Sequence, residues 1–202
     1  MKYINYIFLF LLILLEMACE EKPKDYYAAI SSCASYQIKT KDLGTITITP
    51  YDKCMLGTRL PDFEGVSMEG KTIDKSYFRG KVTVINLWHI GCGPCVAEIP
   101  GLNKLVEKYN TEDVNFLAIS RNTTNEMLNF LSCHPYNFDQ IVYGLPIITS
   151  NFKYKGSYPL TIVMDEYSTI LYAHSGGRVD STAIDDVQLA LTPVIDKVLG
   201  GK

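Results

Sequence analysis

From about residue 60 onward the apolar residues fall into two alternating patterns, short dense runs and wider helical spacings. Val82 to Trp88 (Val-Thr-Val-Ile-Asn-Leu-Trp) and Val114 to Ser120 (Val-Asn-Phe-Leu-Ala-Ile-Ser) are dense, β-branched or aromatic, and short. Such runs suit strands covered on both faces, so the two are expected to lie parallel in one sheet. Between them, Cys95 to Tyr109 carries Val96, Ile99, Leu102, Leu105 and Val106 at helical spacing and supplies the crossover of a βαβ unit, with a kink expected at Pro100. Thr123-Thr124-Asn125-Glu126 reads as a capping box opening a second helix. Leu160 to Asp165 and Thr169 to His174 form an expected antiparallel hairpin across Asp-Glu-Tyr-Ser. The last helix is expected from Ser181 to Leu199, where Ile184, Val187, Leu191, Val194 and Val198 mark the covered face. The pattern predicts an α/β sandwich, a central mixed sheet flanked by helices.

The N-terminal third reads differently. Lys2 precedes an unbroken apolar run from Ile7 to Leu15, too short for a comfortable membrane span but suited to the core of an export signal. Ala18 stands before Cys19, and the segment resembles a bacterial lipoprotein signal in which Cys19 carries the lipid. It departs from that pattern at Glu16, three places before the Cys, where an apolar residue is usual; ordinary cleavage and an uncleaved anchor both stay open. A polar stretch, Glu20 to Asp25, reads as a tether, and residues 26–56 as an extension containing a hairpin, Gln37 to Thr40 with Thr45 to Thr49 around Lys-Asp-Leu-Gly. The chain therefore divides into a signal (1–19), a tether and β extension (20–57) and a main domain (58–202).

Composition narrows the function. Of the 202 residues 47% are hydrophobic and 20% charged, which is ordinary for a globular chain. The net charge of -3, without basic blocks, offers no footprint for a nucleic acid. The aromatic residues, 14 Tyr among them, form no stacking motif and call for no cofactor, and His134 and His174 have no recognisable partners. Six cysteines stand at 19, 33, 54, 92, 95 and 133. Export would let them pair. Cys33 and Cys54 flank the hairpin and could form a structural bridge, which leaves Cys133 as an expected buried thiol.

Cys92-Gly93-Pro94-Cys95 follows a strand and opens a helix. Residues three apart on a helix share a face, so the sulfurs can bond without moving the backbone. Pro94 suits a first helical turn, and Gly93 leaves the approach open. The unpaired N–H groups and positive dipole end of the helix favour an anion, which can draw a Cys pKa from ~8.5 towards neutrality. Cys92 is the expected nucleophile. Cys95, one turn further in, is expected to be buried and to resolve the mixed disulfide. A zinc knuckle would need four ligands, and no second Cys or His pair is at hand; a static bridge would normally close a longer loop.

The run from Pro61-Asp62-Phe63 through Gly80-Lys81-Val82 to Asn86-Leu87-Trp88 and Cys92-Gly93-Pro94-Cys95 resembles the TlpA/ResA branch of thioredoxin-like proteins over about residues 58–200. The resemblance implies a thioredoxin-like three-layer sandwich and an exported, membrane-tethered thiol-disulfide oxidoreductase without a cofactor, acting on protein thiols or disulfides. Tyr158-Pro159-Leu160-Thr161-Ile162-Val163-Met164-Asp165 matches the family's Pro-strand segment with one extra residue, so Pro159 is the expected cis proline over the redox pair. Trp88, Gly93 and Pro94 complete the expected substrate surface. By the same resemblance Glu98, three residues after Cys95, tunes the pair and can take a proton from the second thiol; a solvent-facing Glu98 is the alternative. Asn86 stands where thioredoxin has a buried Asp, which shifts the relay role towards Glu98. His89 could favour the thiolate or simply lie exposed on its loop.

Gly-Pro between the cysteines resembles thioredoxin and leans towards reduction, which in an oxidising compartment requires a membrane electron donor. A competing reading is a partner-binding module docked through 26–56, with the redox pair as a regulatory latch. A copper chaperone would need a Cys-x-x-x-Cys spacing, and the Pro-x-x-x-Thr-x-x pattern of peroxiredoxins is absent at Cys92.

Overall fold

The structure, a computed structural model, describes residues 22–41, 44–110 and 113–200. At its centre lies a five-stranded mixed sheet. β5 (Val82–Trp88) and β6 (Val114–Ser120) pair in parallel, and β7 (Asp139–Ile141) extends that parallel edge. β8 (Leu160–Met164) runs antiparallel to β5, and β9 (Ile170–Ser175) antiparallel to β8, giving the spatial order β7-β6-β5-β8-β9. Every residue of β5 and β8 is buried. This is the consequence of covering the sheet on both sides.

The alternation along β5 shows which layer covers which face. Val82, Val84 and Trp88 pack with α4 (Gly93–Lys108), α5 (Thr124–Leu131) and α6 (Thr182–Gly200). Ile85 and Leu87 point the other way, into a cluster with Tyr26 and Ile30 of α1 (Tyr26–Ser31), Met55 of α2 (Tyr51–Met55), and Tyr77 and Phe78 of α3 (Lys75–Phe78). The extension therefore shares the core of the sheet. Its hairpin, β1 (Tyr36–Thr40) with β2 (Gly44–Ile48), is antiparallel with Tyr36 opposite Ile48, and Cys33 and Cys54 are bridged across it. The chain then runs along β9, where Gly57 N–H donates to Ile170 and Leu60 N–H to Ser168.

α4 begins two residues earlier than the apolar spacing alone indicates, with Cys92 as its N-cap, and runs through Pro100 without a break. Next to Pro100, a side chain on Gly101 would meet the Ile184 backbone oxygen at 2.8 Å, so glycine is what lets α4 and α6 approach so closely. The capping box at Thr123 and Glu126 forms as its sequence requires. Short elements escaped the pattern: β7, the two-residue pair β3 (Gly65–Val66) and β4 (Thr72–Ile73), and a π-helical turn at Ile147–Asn151.

Cys133 departs from expectation. It lies just past the C-cap of α5 and is exposed, because the chain turns outward there through Ser132, Cys133, His134 and Pro135 before Tyr136 dips back into the core. Cys19 and the apolar run before it lie outside the described residues. No helix among the described residues is long and apolar enough to cross a membrane.

Candidate active site

Where β5 ends, three loops converge. The loop after Trp88 is fixed at both ends: Ile90 N–H donates to Asn122 Oδ1 at 3.0 Å, and Cys92 N–H to the His89 carbonyl at 3.0 Å. Cys92 then caps α4, its Sγ accepting the Cys95 N–H at 3.2 Å. This is the geometry in which helix-terminal N–H groups stabilise sulfur-borne negative charge. Cys92 and Cys95 are joined by a disulfide with their Cα atoms 5.2 Å apart. Cys92 retains 7% exposure and Cys95 1%, so an incoming thiolate or disulfide can reach only the first sulfur.

The Tyr158–Pro159 peptide is cis. Gly177 sits against both prolines: a Cβ there would lie 3.5 Å from Pro94 and 3.7 Å from Pro159, so Pro94, Pro159 and the Gly176-Gly177 turn form one surface beside the disulfide. Pro159 itself is buried, while Gly93 is exposed and Pro94 and Tyr158 are half-buried. Trp88, expected on the substrate surface, is fully buried and packs against Phe130 and Tyr136. It cannot touch a substrate from there. The strand's inward alternation turns the indole under the loop, into the cluster that holds Cys92 and Cys95.

Glu98 lies one turn after Cys95 on the same buried face of α4. Its Oε1 accepts from Asn86 Nδ2 at 2.8 Å, and the same amide nitrogen donates to Thr161 Oγ1 at 2.9 Å. Asn86 and Thr161 are directly opposite in the β5–β8 register, which fixes the triad across the sheet. Burial pushes the Glu98 carboxyl up to about 8, with the Asn86 hydrogen bond opposing the rise. A buried carboxyl in this range can hold or take a proton near neutral pH. Beside it opens a cavity of about 510 Å³ lined by Glu98, Thr161, Tyr172, His174, Val187 and Leu191. Thr161 was not singled out from sequence as a site residue; its place opposite Asn86 depends on strand register.

His89 is not a free loop side chain. Its ring meets Tyr158 edge-on with centroids 5.4 Å apart, and its Nδ1 lies 3.4 Å from Arg121 Nη2. Burial, assisted by the Arg121 charge, lowers its pKa, so at neutral pH the ring is uncharged. Among the described residues, no three His, Cys, Asp or Glu side chains are gathered in a way that could hold a metal ion.

Residues 56–173 match the family described as AhpC/TSA. The chain belongs to that family. Among the curated relatives, a thiol-disulfide oxidoreductase ResA of Bacillus thuringiensis subsp. konkukian is 32% identical over 91 residues, 45% of this chain and 53% of that protein. The chain thus spans about half the length of this relative. Among solved structures, one provisionally described as a thiol:disulfide interchange protein DsbE from Chlorobium tepidum is 25% identical, with a TM-score of 0.56 over 65% of this chain and 94% of that one. The thioredoxin domain of a thiol-disulfide oxidoreductase from Bacteroides vulgatus, 17% identical, superposes with a TM-score of 0.58 over 69% of this chain and 97% of the other. The fold of this AhpC/TSA member is thioredoxin-like, with its mixed sheet between two helical layers.

Proposed function

We propose that this protein is an exported thiol-disulfide oxidoreductase, tethered to a membrane through lipid on Cys19, that reduces disulfides in protein substrates. The observation that carries the reading is the Cys92–Cys95 pair at the start of α4, with Cys92 keeping a small exposed area and Cys95 sealed beneath it. In the forward reaction the Cys92 thiolate attacks a substrate disulfide, forming a mixed disulfide and releasing one substrate thiolate. Glu98, as its carboxylate, takes the Cys95 proton; the Cys95 thiolate then attacks Cys92 Sγ and releases the second substrate thiolate. Two electrons pass to the substrate, and Cys92–Cys95 is left oxidised. A dithiol donor at the membrane restores it by the same exchange in reverse. Pro159, Pro94 and Gly93 border the attacked sulfur and guide the substrate chain.

Turnover of a small peptide disulfide with a regenerating dithiol tests the reading. The full chain should catalyse the reaction, and Cys92→Ser should lose at least about a thousandfold of the rate, as expected when a covalent nucleophile is removed. Equal turnover in Cys92→Ser would reject it. Stoichiometric reduction without turnover would favour a regulatory latch on a partner-binding module.

A further inference from the structure

The rim of the redox pair carries a cation that the exchange chemistry does not use. Arg121 follows the last residue of β6 and is exposed. His89 lies 3.4 Å from its guanidinium, and the His89 ring rests on Tyr158, the residue that forms the cis peptide with Pro159. Arg121 therefore stands one side chain away from the surface over Cys92. Both neighbours limit its freedom without neutralising it. A guanidinium can only donate, so it directs one N–H at His89 Nδ1, 3.4 Å away, and keeps its other N–H groups for a further acceptor.

No carboxylate among the described residues pairs with Arg121. The nearest candidate in sequence, Glu126, is occupied by Thr123 N–H at 2.8 Å, Thr123 Oγ1 at 3.0 Å and Asn122 Nδ2 at 3.2 Å. On the other side of the disulfide, Arg178 is already paired with Asp186 at 2.9 Å. Next to Arg121, Tyr143, whose N–H bonds the Asn122 carbonyl, and Leu145 are 59% and 48% exposed. A guanidinium held at His89 but without a carboxylate partner among the described residues, beside exposed Tyr143 and Leu145 on a chain of net charge -3, is a local feature of this rim.

We propose that Arg121, oriented by His89 and Tyr158, selects partner proteins that carry a carboxylate next to the reacting disulfide. A guanidinium fork suits a carboxylate, and charge complementarity at a rim acts mainly through encounter rate and discrimination. The proposal rests on Cys92 being the sulfur that exchanges with the partner.

Two cyclic peptide disulfides identical except for Asp-Asp or Lys-Lys beside one Cys provide the probe. Mixed with the reduced full chain at low salt, the acidic peptide should react about tenfold faster, and the ratio should shrink as salt is added. In Arg121→Gln the ratio should fall to roughly two or less, in Arg121→Glu it should invert, and Arg121→Lys, which keeps the charge but loses the fork, should fall between Gln and the wild type. Equal rates for the two peptides in the wild type, or an unchanged ratio in Arg121→Gln, would overturn the proposal while leaving Cys92 as the exchanging sulfur. Reaction with neither peptide would overturn both readings together.

Discussion

Among the described residues the chain closes two disulfides, Cys92–Cys95 and Cys33–Cys54, in different surroundings. On the proposed reading the first bond exchanges and the second does not, and exposure is not what sets them apart: Cys33 and Cys54 are each half-buried, whereas Cys92 retains only 7% exposure. Loop closure distinguishes them weakly. A separation of 21 residues restricts the unfolded chain by about 3 kcal/mol and a separation of 3 by about 2 kcal/mol, too close to decide which bond opens. Helix polarity separates them in kind. Cys92 caps the N-terminus of a sixteen-residue helix, where the reduced thiolate gains from free N–H groups. Cys33 follows the C-terminal end of α1, and Cys54 lies next to the last residue of α2, so neither stands at the free N–H groups of a helix start. Glu98 stands one turn beyond Cys95 on the same buried face. On the proposed reading, a disulfide is exchangeable because of what stabilises its reduced form and takes its proton.

The largest way to break this contrast is to swap the losses. Cys95→Ser should trap substrates on Cys92 as mixed disulfides, seen by non-reducing electrophoresis, and stop turnover with little change in melting temperature. Cys33→Ser with Cys54→Ser should do the opposite, lowering stability by about 3 kcal/mol in denaturant unfolding while turnover survives at temperatures where the chain stays folded. Loss of turnover in that double variant without unfolding would mean the two bridges are coupled.

A smaller effect sharpens the role of Glu98. Its folded pKa of about 8 lies above the 4.5 of an unburied Glu, so the folded state holds the proton longer. The stability this contributes is present below about pH 4.5 and is lost as pH rises through about 8. Glu98→Gln should flatten that decline and, at about pH 9, leave the chain on the order of 3 kcal/mol more stable than the wild type. The same variant should shift the pH profile of the second exchange step, measured by release of the second substrate thiol. A stability profile with the wild-type slope in Glu98→Gln would remove the buried carboxyl as its cause.

Much of the fold is legible in the sequence. Val82–Trp88, Val114–Ser120 and the crossover helix could be read because long apolar runs and a sustained helical period leave few alternatives. The Cys92–Cys95 geometry could be read because the spacing and the strand-to-helix position jointly specify it. What stayed hidden depends on register and on distant packing. β7 is three residues long and includes a buried Gln140, whose amide bonds the nearby Tyr136 and Phe138 carbonyls. Thr161 meets Asn86 only because β8 pairs with β5 in one register, and His89 meets Arg121 only because parallel strands bring their C-terminal loops together. Cys133 looked like a core thiol by elimination, a weak argument where a helix ends at the surface.

Selective alkylation of the fully reduced chain tests the central claim most directly. With limiting iodoacetamide near pH 7 and mass spectrometry of the peptides, Cys92 should be labelled first, at least about tenfold faster than Cys95, and faster than Cys33 or Cys54 under the same native conditions. Labelling of Cys95 ahead of Cys92, or of Cys33 and Cys54 as fast as Cys92, would contradict the account.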